Sequence, residues 1–410
     1  MANNDLGREI WKNNFSIDKV KMLRLRSTNL FLGLGAIDKI FDIAKNLKRD
    51  GIEKVLVVTG RESYVKCGAW EKVESALRTH NIGYALYNKI EPNPDADRAE
   101  EAAALGRKFG AQAVVGIGGG SPNDAAKGIA VLLATPEISI RDIYSYKVRA
   151  QKAVPIVAVN TTHGTGTEIN RFSVISIPER RIKPGIVVDC IYPKYAIDDP
   201  VLMSTLPVKQ TIYTSMDAFN HAFESVTSRS VTPLGFLLGQ ESIRLVARYL
   251  PLILNDANDL DARYYLVYAA MLAGVSFENS AIHITHAMEH PMSAFKPDLP
   301  HGLGLSVVLP SVLRAIYPAE PQLISSVLAS IVPDLKGTGA ETETAVAGLK
   351  KWLAGFGITE TMSDIGFKKN DIEPLIDSLY ETTGLTEAIG FCPAELNREK
   401  IAEMFRQSFC

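Results

Sequence analysis

A chain of 410 residues exceeds a comfortable single core, and at roughly 100–200 residues per domain it divides into two. With 46% hydrophobic and 22% charged residues and a net charge of −2, it has the composition of an ordinary soluble globular protein, without the basic face a nucleic-acid partner requires. No stretch approaches the roughly eighteen apolar residues of a membrane span, and the start, Met1-Ala2-Asn3-Asn4-Asp5, lacks the regions of a signal peptide, so a cytoplasmic protein is expected.

Over the first half, short β-branched runs alternate with amphipathic stretches, the pattern of βαβ units building a parallel sheet. The first run, Val55-Leu56-Val57-Val58-Thr59, ends at Gly60-Arg61-Glu62-Ser63. A dinucleotide-binding protein selective for NAD often places an acid there to hold the ribose 2′-hydroxyl. Gly60 instead leaves room, and Arg61 with Ser63 suits a 2′-phosphate, so NADP is preferred; Glu62 keeps NAD open. Residues 97–109 are rich in helix formers.

The run Val114-Val115-Gly116-Ile117 leads into Gly118-Gly119-Gly120-Ser121-Pro122-Asn123-Asp124, ahead of an alanine-rich helix. Glycines let a backbone approach a pyrophosphate, Ser121 is the expected helix cap, and Pro122 suits the first turn, where the helix terminus favours an anion. A third run, Val154 to Val159, carries Pro155, which belongs at a strand start or edge. The loop that follows, with Thr161, Thr162, His163 and Thr165 beside Gly164 and Gly166, offers hydroxyls to a ribose or phosphate; read alone it is equally an ordinary turn. Lys183 adds a cation further on. The four cysteines, Cys67, Cys190, Cys392 and Cys410, have no CxxC spacing and read as free thiols.

Near Asp198-Asp199-Pro200 the β-branched runs give way to long segments of helical period, for example 237–256 and 262–278, with no flexible linker between. The expected architecture is an α/β, Rossmann-like domain with a parallel sheet over residues 1–197, followed by an all-α domain over 198–410, the two meeting in a cleft.

The histidines cluster in the helical half, five of the seven lying between 221 and 301. Asp217 and His221 are four residues apart and share a helix face. His283, His286 and His290 follow at helical spacing, then Pro300-His301-Gly302. Such a carboxylate and imidazole set suits Fe(II), Zn(II), Mn(II) or Co(II). His283 is the member most readily explained by packing.

Taken together, Gly118-Gly119-Gly120-Ser121 with Asp124 and Lys127, the loop from Thr161 to Glu168, Met216-Asp217-Ala218 with His221, Ala222 and Glu224, and His286 with His290-Pro291 before Pro300-His301-Gly302 resemble the iron-containing alcohol dehydrogenase family. The resemblance implies that Asp217, His221, His286 and His301 bind Fe(II), with Zn(II) as the alternative, and that His290 lies near the substrate. It implies that Asn93, the Gly118 to Ser121 turn, Thr161, Thr162 and Lys183 approach the cofactor, and that the chain forms a dimer or larger assembly. Ser215 and Ser293 stand where the family commonly has glycine, and His163 where it has a small residue. The activity implied is NAD(P)-linked hydride exchange with a small alcohol or aldehyde, the metal acting as Lewis acid and His290 relaying a proton. The rival readings are a polyol dehydrogenase, a lyase similar to dehydroquinate synthase, a metallohydrolase that grips phosphate on the glycine turn, and a non-catalytic metal-binding module. His221 speaks against the first two, whose sites resemble three-ligand zinc centres.

Overall fold

The computed structural model describes residues 28–410, so the stretch read above for a signal peptide lies outside it. The first half runs β1 (Asn29–Leu32), α1 (Lys39–Arg49), β2 (Lys54–Thr59), α2 (Ser63–Lys66), α3 (Ala69–Thr79), β3 (Gly83–Tyr87), α4 (Ala96–Phe109), β4 (Ala113–Gly118), α5 (Gly120–Ala134), α6 (Ile140–Tyr144), β5 (Ile156–Asn160), β6 (Phe172–Val174), β7 (Gly185–Val187) and β8 (Tyr195–Asp198). Among the described residues six strands pair in parallel, in the order β1-β8-β5-β4-β2-β3.

Alternation along the strands explains the two layers of helices. Val55, Val57, Val115, Ile117, Val157 and Val159 point to the side packed by α1 and α3, while Leu56, Val58, Val114 and Ile156 point to the side packed by α4 and α5. Because both faces are covered, these strands read as continuous apolar runs. Each fully buried valine, leucine or isoleucine there contributes about 1.5–3 kcal/mol relative to exposure. Pro155 falls just before β5, where its missing N–H costs no ladder bond.

The second half is helical: α7 (Val208–Thr227), α8 (Pro233–Asn255), α9 (Leu260–Glu278), α10 (Ile284–Phe295), α11 (His301–Ile316), α12 (Pro321–Leu328), α13 (Thr342–Ala354), α14 (Ile372–Glu381), α15 (Leu385–Gly390) and α16 (Arg398–Gln407). The expected fold class therefore holds, an α/β parallel-sheet region followed by an all-α one. The predicted helices 237–256 and 262–278 are α8 and α9, begun earlier by Thr232 and Asp259, whose side chains accept from the N–H groups of Gly235 and Ala262. Among the described residues no helix is long and apolar enough to cross a membrane. All four cysteines are free.

Three contacts bring the halves together at one place. The side-chain amide of Asn93, held at φ 53°, donates to the carbonyls of Pro297 at 2.8 Å and Leu299 at 3.2 Å. β6 and β7 form an antiparallel hairpin whose connection carries Lys183 to Ser293 on α10. Gly164 lies against α7, where an added Cβ would sit 3.1 Å from both the Asp217 carboxylate and the Thr214 carbonyl.

Two expectations need correction. Ser121 does not cap α5: the cap is Gly119 and Ser121 is the second helical residue. A side chain at Gly119 would meet Thr162 at 2.7 Å and one at Gly120 would meet Thr165 at 2.5 Å, so the turn is too crowded for any residue but glycine to begin the helix. His283 does not share a helix face with His286 and His290, because α10 begins at Ile284 and His283 is its non-helical cap.

Candidate metal and cofactor site

Asp217 and His221 lie one turn apart on α7, facing α10 and the start of α11. His221 Nδ1 is 3.3 Å from Asp217 Oδ1, His301 Nε2 is 3.6 Å from it and His286 Nε2 is 3.7 Å from it. Asp217 Oδ1, His221 Nδ1 and His286 Nε2 are buried without a hydrogen-bond partner. Leaving three such atoms unpaired in one place is costly unless something binds them. Donors that ligate one ion at about 2.1 Å in a tetrahedron lie about 3.4 Å apart, so these spacings and this donor set fit a divalent transition metal.

The electrostatics agree. Burial alone would raise the Asp217 carboxyl, but His221, His286 and His301 hold it down at about 2, so it is a carboxylate. Burial lowers His221 to about 4. Burial also opposes charge on His286, yet Glu224 and Asp217 overcome it and raise that imidazole to about 9. The centre thus attracts positive charge strongly, as a cation site must.

A second layer of carboxylates lies behind the imidazoles, and the sequence reading missed its role. Glu224, fully buried, contacts His286 Nδ1 and accepts from the backbone N–H groups of Thr285 and His286. Glu289, equally buried, contacts His301 Nδ1. A histidine whose Nδ1–H donates to a carboxylate keeps Nε2 as the free lone pair, and Nε2 is the atom each turns toward Asp217. The signal available was an acid three residues after a candidate ligand histidine, Glu224 after His221 and Glu289 after His286. His283 has its own work: Nδ1 lies 3.2 Å from Glu224 and Nε2 lies 2.9 Å from the Thr227 hydroxyl, so it braces Glu224.

His290 donates from Nδ1 to the Lys183 carbonyl at 2.9 Å, which leaves Nε2 as an acceptor; burial and the Lys183 ammonium keep the ring neutral. Lys183 is only 5% exposed, contrary to a solvated surface lysine. Its ammonium donates to Asn93 Oδ1 at 2.7 Å and Ser293 Oγ at 2.8 Å, within 3.5 Å of His301 Nδ1.

On the sheet side, the glycine turn and the threonine loop are one structure. The Thr161 N–H donates to the Gly118 carbonyl at 3.1 Å, the Thr162 N–H to Asn160 Oδ1 at 3.1 Å, and the Thr167 N–H to Thr165 Oγ1 at 3.2 Å. Gly118 has φ 150°, and a side chain there would strike Pro122 at 2.5 Å. Asp124 is spent on support: one oxygen accepts from the Thr167 hydroxyl at 2.5 Å and the other from the Val174 N–H at 3.0 Å. Gly60 follows β2, and an added Cβ would find only the Ile90 carbonyl at 3.4 Å and the Ser63 hydroxyl at 3.9 Å. Arg61 is exposed and paired with Glu91, and Glu62 with Lys66.

His163, unusual by the family pattern, is wholly buried. Arg263 donates to its Nε2 at 3.2 Å, and Nδ1 lies 3.3 Å from both the Thr214 and Ser215 hydroxyls. Two departures from the pattern, His163 and Ser215, therefore touch each other. Burial and the Arg263 charge push His163 down to about 3.

Comparison with known proteins accords with this geometry. Residues 27–200 match the model of iron-containing alcohol dehydrogenases, and residues 211–409 match that of the C-terminal region of the same family. The chain is 47% identical over 400 residues to the long-chain primary alcohol dehydrogenase of Thermoanaerobacter ethanolicus, covering 98% of this chain and 100% of that protein. It is 32% identical to the 1,3-propanediol dehydrogenase of Klebsiella pneumoniae, over 92% of this chain and 96% of that one. Among solved structures, the NADH-dependent butanol dehydrogenase A of Thermotoga maritima superposes with a TM-score of 0.85 at 28% identity, covering 95% of this chain and 98% of that one. An archaeal halo-thermophilic alcohol dehydrogenase from a Red Sea brine pool does so at 0.87 and 27%, covering 95% and 100%.

Proposed function

This chain belongs to the iron-containing alcohol dehydrogenase family, and we propose that it interconverts a primary alcohol and its aldehyde with NADP as hydride carrier and Fe(II) at the metal centre. The observation that carries this reading is Asp217 Oδ1, ringed by three imidazole nitrogens at 3.3–3.7 Å beside a glycine turn made for a pyrophosphate. Asp217, His221, His286 and His301 hold the metal. Zn(II) suits the same donors. The nucleotide domain carries the sheet through β8, which ends at Asp198, the metal-binding domain carries the helices from α7 onward, and the reaction takes place where they meet.

When bound between these residues, the metal would supply Lewis acidity toward the substrate oxygen and the nicotinamide would supply the hydride chemistry. The residues of the chain do the rest. The backbone of Gly118, Gly119 and Gly120, with Ser121, receives the pyrophosphate at the start of α5. Thr161, Thr162 and Thr165 shape the loop over it, and Asp124 positions that loop from behind. Asn93 and Lys183 close the nicotinamide end. Gly60, Arg61 and Ser63 accept the 2′-phosphate, since the exposed Arg61–Glu91 pair is worth only about 0–1 kcal/mol and yields easily to a dianion. The same pair, left intact, favours NAD. His290 accepts the substrate proton at Nε2, because its Nδ1–H is committed to the Lys183 carbonyl.

The test is oxidation of NADPH and NADH with short and long aldehydes, on protein stripped of metal and refilled anaerobically with Fe(II) or Zn(II). Metal-dependent turnover that prefers NADPH, abolished in Asp217→Asn, is expected. Absence of turnover with either nucleotide and either metal refutes the dehydrogenase reading.

A further inference from the structure

Two constellations of metal-ligating side chains lie side by side. One is Asp217, His221 and His286; the other is Glu289, His290 and His301, and within each the ligand atoms fall within 4.8 Å of one another. The second holds a cation of the chain's own. Lys183 Nζ is 3.6 Å from Glu289 Oε2 and 3.5 Å from His301 Nδ1, and it donates to Ser293 and Asn93. An ammonium withdrawn from water needs an anion beside it, and Glu289 is the carboxylate that faces Lys183 within 4 Å among the described residues.

The same oxygen serves twice. Glu289 Oε2 also contacts His301 Nδ1, so it sets which nitrogen of His301 faces Asp217. Ser293 completes the arrangement: its hydroxyl accepts from Lys183 at 2.8 Å and donates to Glu289 Oε2 at 3.3 Å. A glycine at 293 has no group to make either contact. Gly304 on α11 leaves the space Glu289 fills, since an added Cβ would lie 2.9 Å from Glu289 Cγ. Charge balances as well. The buried carboxylates of Asp217, Glu224 and Glu289 are offset by one ammonium and one divalent ion.

We propose that Glu289 is the positioning residue that joins the metal centre to the nicotinamide side, orienting His301 through Nδ1 and anchoring Lys183, with Ser293 as the link specific to the lysine. The inference rests on the metal set argued above. It predicts a split that ordinary packing residues would not produce. Neutralising Glu289 loosens metal and nucleotide together, whereas removing the Ser293 hydroxyl loosens the nucleotide alone.

The experiment uses full-length wild type, Glu289→Gln, Ser293→Gly and Asp217→Asn. Metal affinity is read by chelator competition for Zn(II), and nucleotide affinity by fluorescence titration of NADPH and NADH into metal-loaded protein. The expected results are a loss of metal affinity of about 10–100-fold in Glu289→Gln, with weaker nucleotide binding. Ser293→Gly should keep metal affinity within about twofold while its nucleotide affinity falls about 3–10-fold, the weight of one bond to a charged group shared among several. Metal affinity lost in Asp217→Asn but retained in Glu289→Gln overturns the inference and leaves the metal set standing. A wild type that binds no metal overturns both. Should Glu289→Gln fail to fold, Ser293→Gly still decides: nucleotide affinity equal to wild type, or metal affinity lost with it, sinks the proposal.

Discussion

Gly302, the residue after His301, is the glycine of the described residues at which an added Cβ would meet its neighbours most closely, and it lies beside the proposed metal centre. A Cβ built on it would lie 1.8 Å from the Tyr213 carbonyl oxygen, 2.6 Å from its carbon and 3.0 Å from its Cα. These are backbone atoms of α7, so no side chain can swing aside. A carbon and a carbonyl oxygen rest at about 3.3 Å, so Gly302→Ala must drive the start of α11 away from α7 by about 1.5 Å. His301 moves with it, and His301 Nε2 now stands 3.6 Å from Asp217 Oδ1, so the four-ligand set loses its closure. Overpacking of this kind costs about 1–3 kcal/mol, and with an unfolding entropy of about 2.1 cal/mol/K per residue over 410 residues each kcal/mol lowers Tm by about 1 °C. The expected result is a fall in apo-protein Tm of about 1–4 °C, together with a metal-affinity loss of at least about tenfold, measured by differential scanning fluorimetry and chelator competition. An alanine variant with apo Tm equal to wild type and unchanged metal affinity would refute the claim that close approach of α7 and α11 builds the site.

Other substitutions probe the remaining parts. Gly60→Asp sets a carboxylate where a 2′-phosphate would sit, and kcat/KM should fall about 10–100-fold for NADPH while holding for NADH; equal loss with both nucleotides would place Gly60 outside the ribose site. His290→Ala should lower kcat by about a hundredfold or more and flatten its pH profile, whereas an intact rate and profile would end the relay role. His163, held at about 3 in the fold against 6.5 as its ordinary value, contributes stability that is complete above pH 6.5 and lost as pH falls toward 3, because the unfolded chain then binds the extra proton. At pH 5 that loss is about 2 kcal/mol. His163→Asn should therefore show a shallower decline in urea midpoint between pH 7 and pH 5; parallel declines would mean His163 is not held neutral.

Much of this was legible without coordinates. Strands β2, β4 and β5 announced themselves as β-branched runs because both of their faces are covered, and the expected helix cap at Ser121 failed because the crowding comes from Thr162 and Thr165, some forty residues away. Read from its neighbours in sequence Lys183 was simply a cation, because its partners, Asn93 and Ser293, lie about a hundred residues off on either side.

The sequence by itself determined what is local: the order of strands and helices, the pairing of Asp217 with His221 one turn on, and the supply of imidazoles on α10 and at the start of α11. Only the tertiary structure decided how they act together. Glu224 is three residues from His221 and Glu289 three from His286, yet Glu224 orients His286 and Glu289 orients His301. Each acid serves a histidine of a different turn or helix, because a hydrogen bond is governed by direction and distance in space, and which nitrogen of an imidazole stays free for a metal follows from that bond alone.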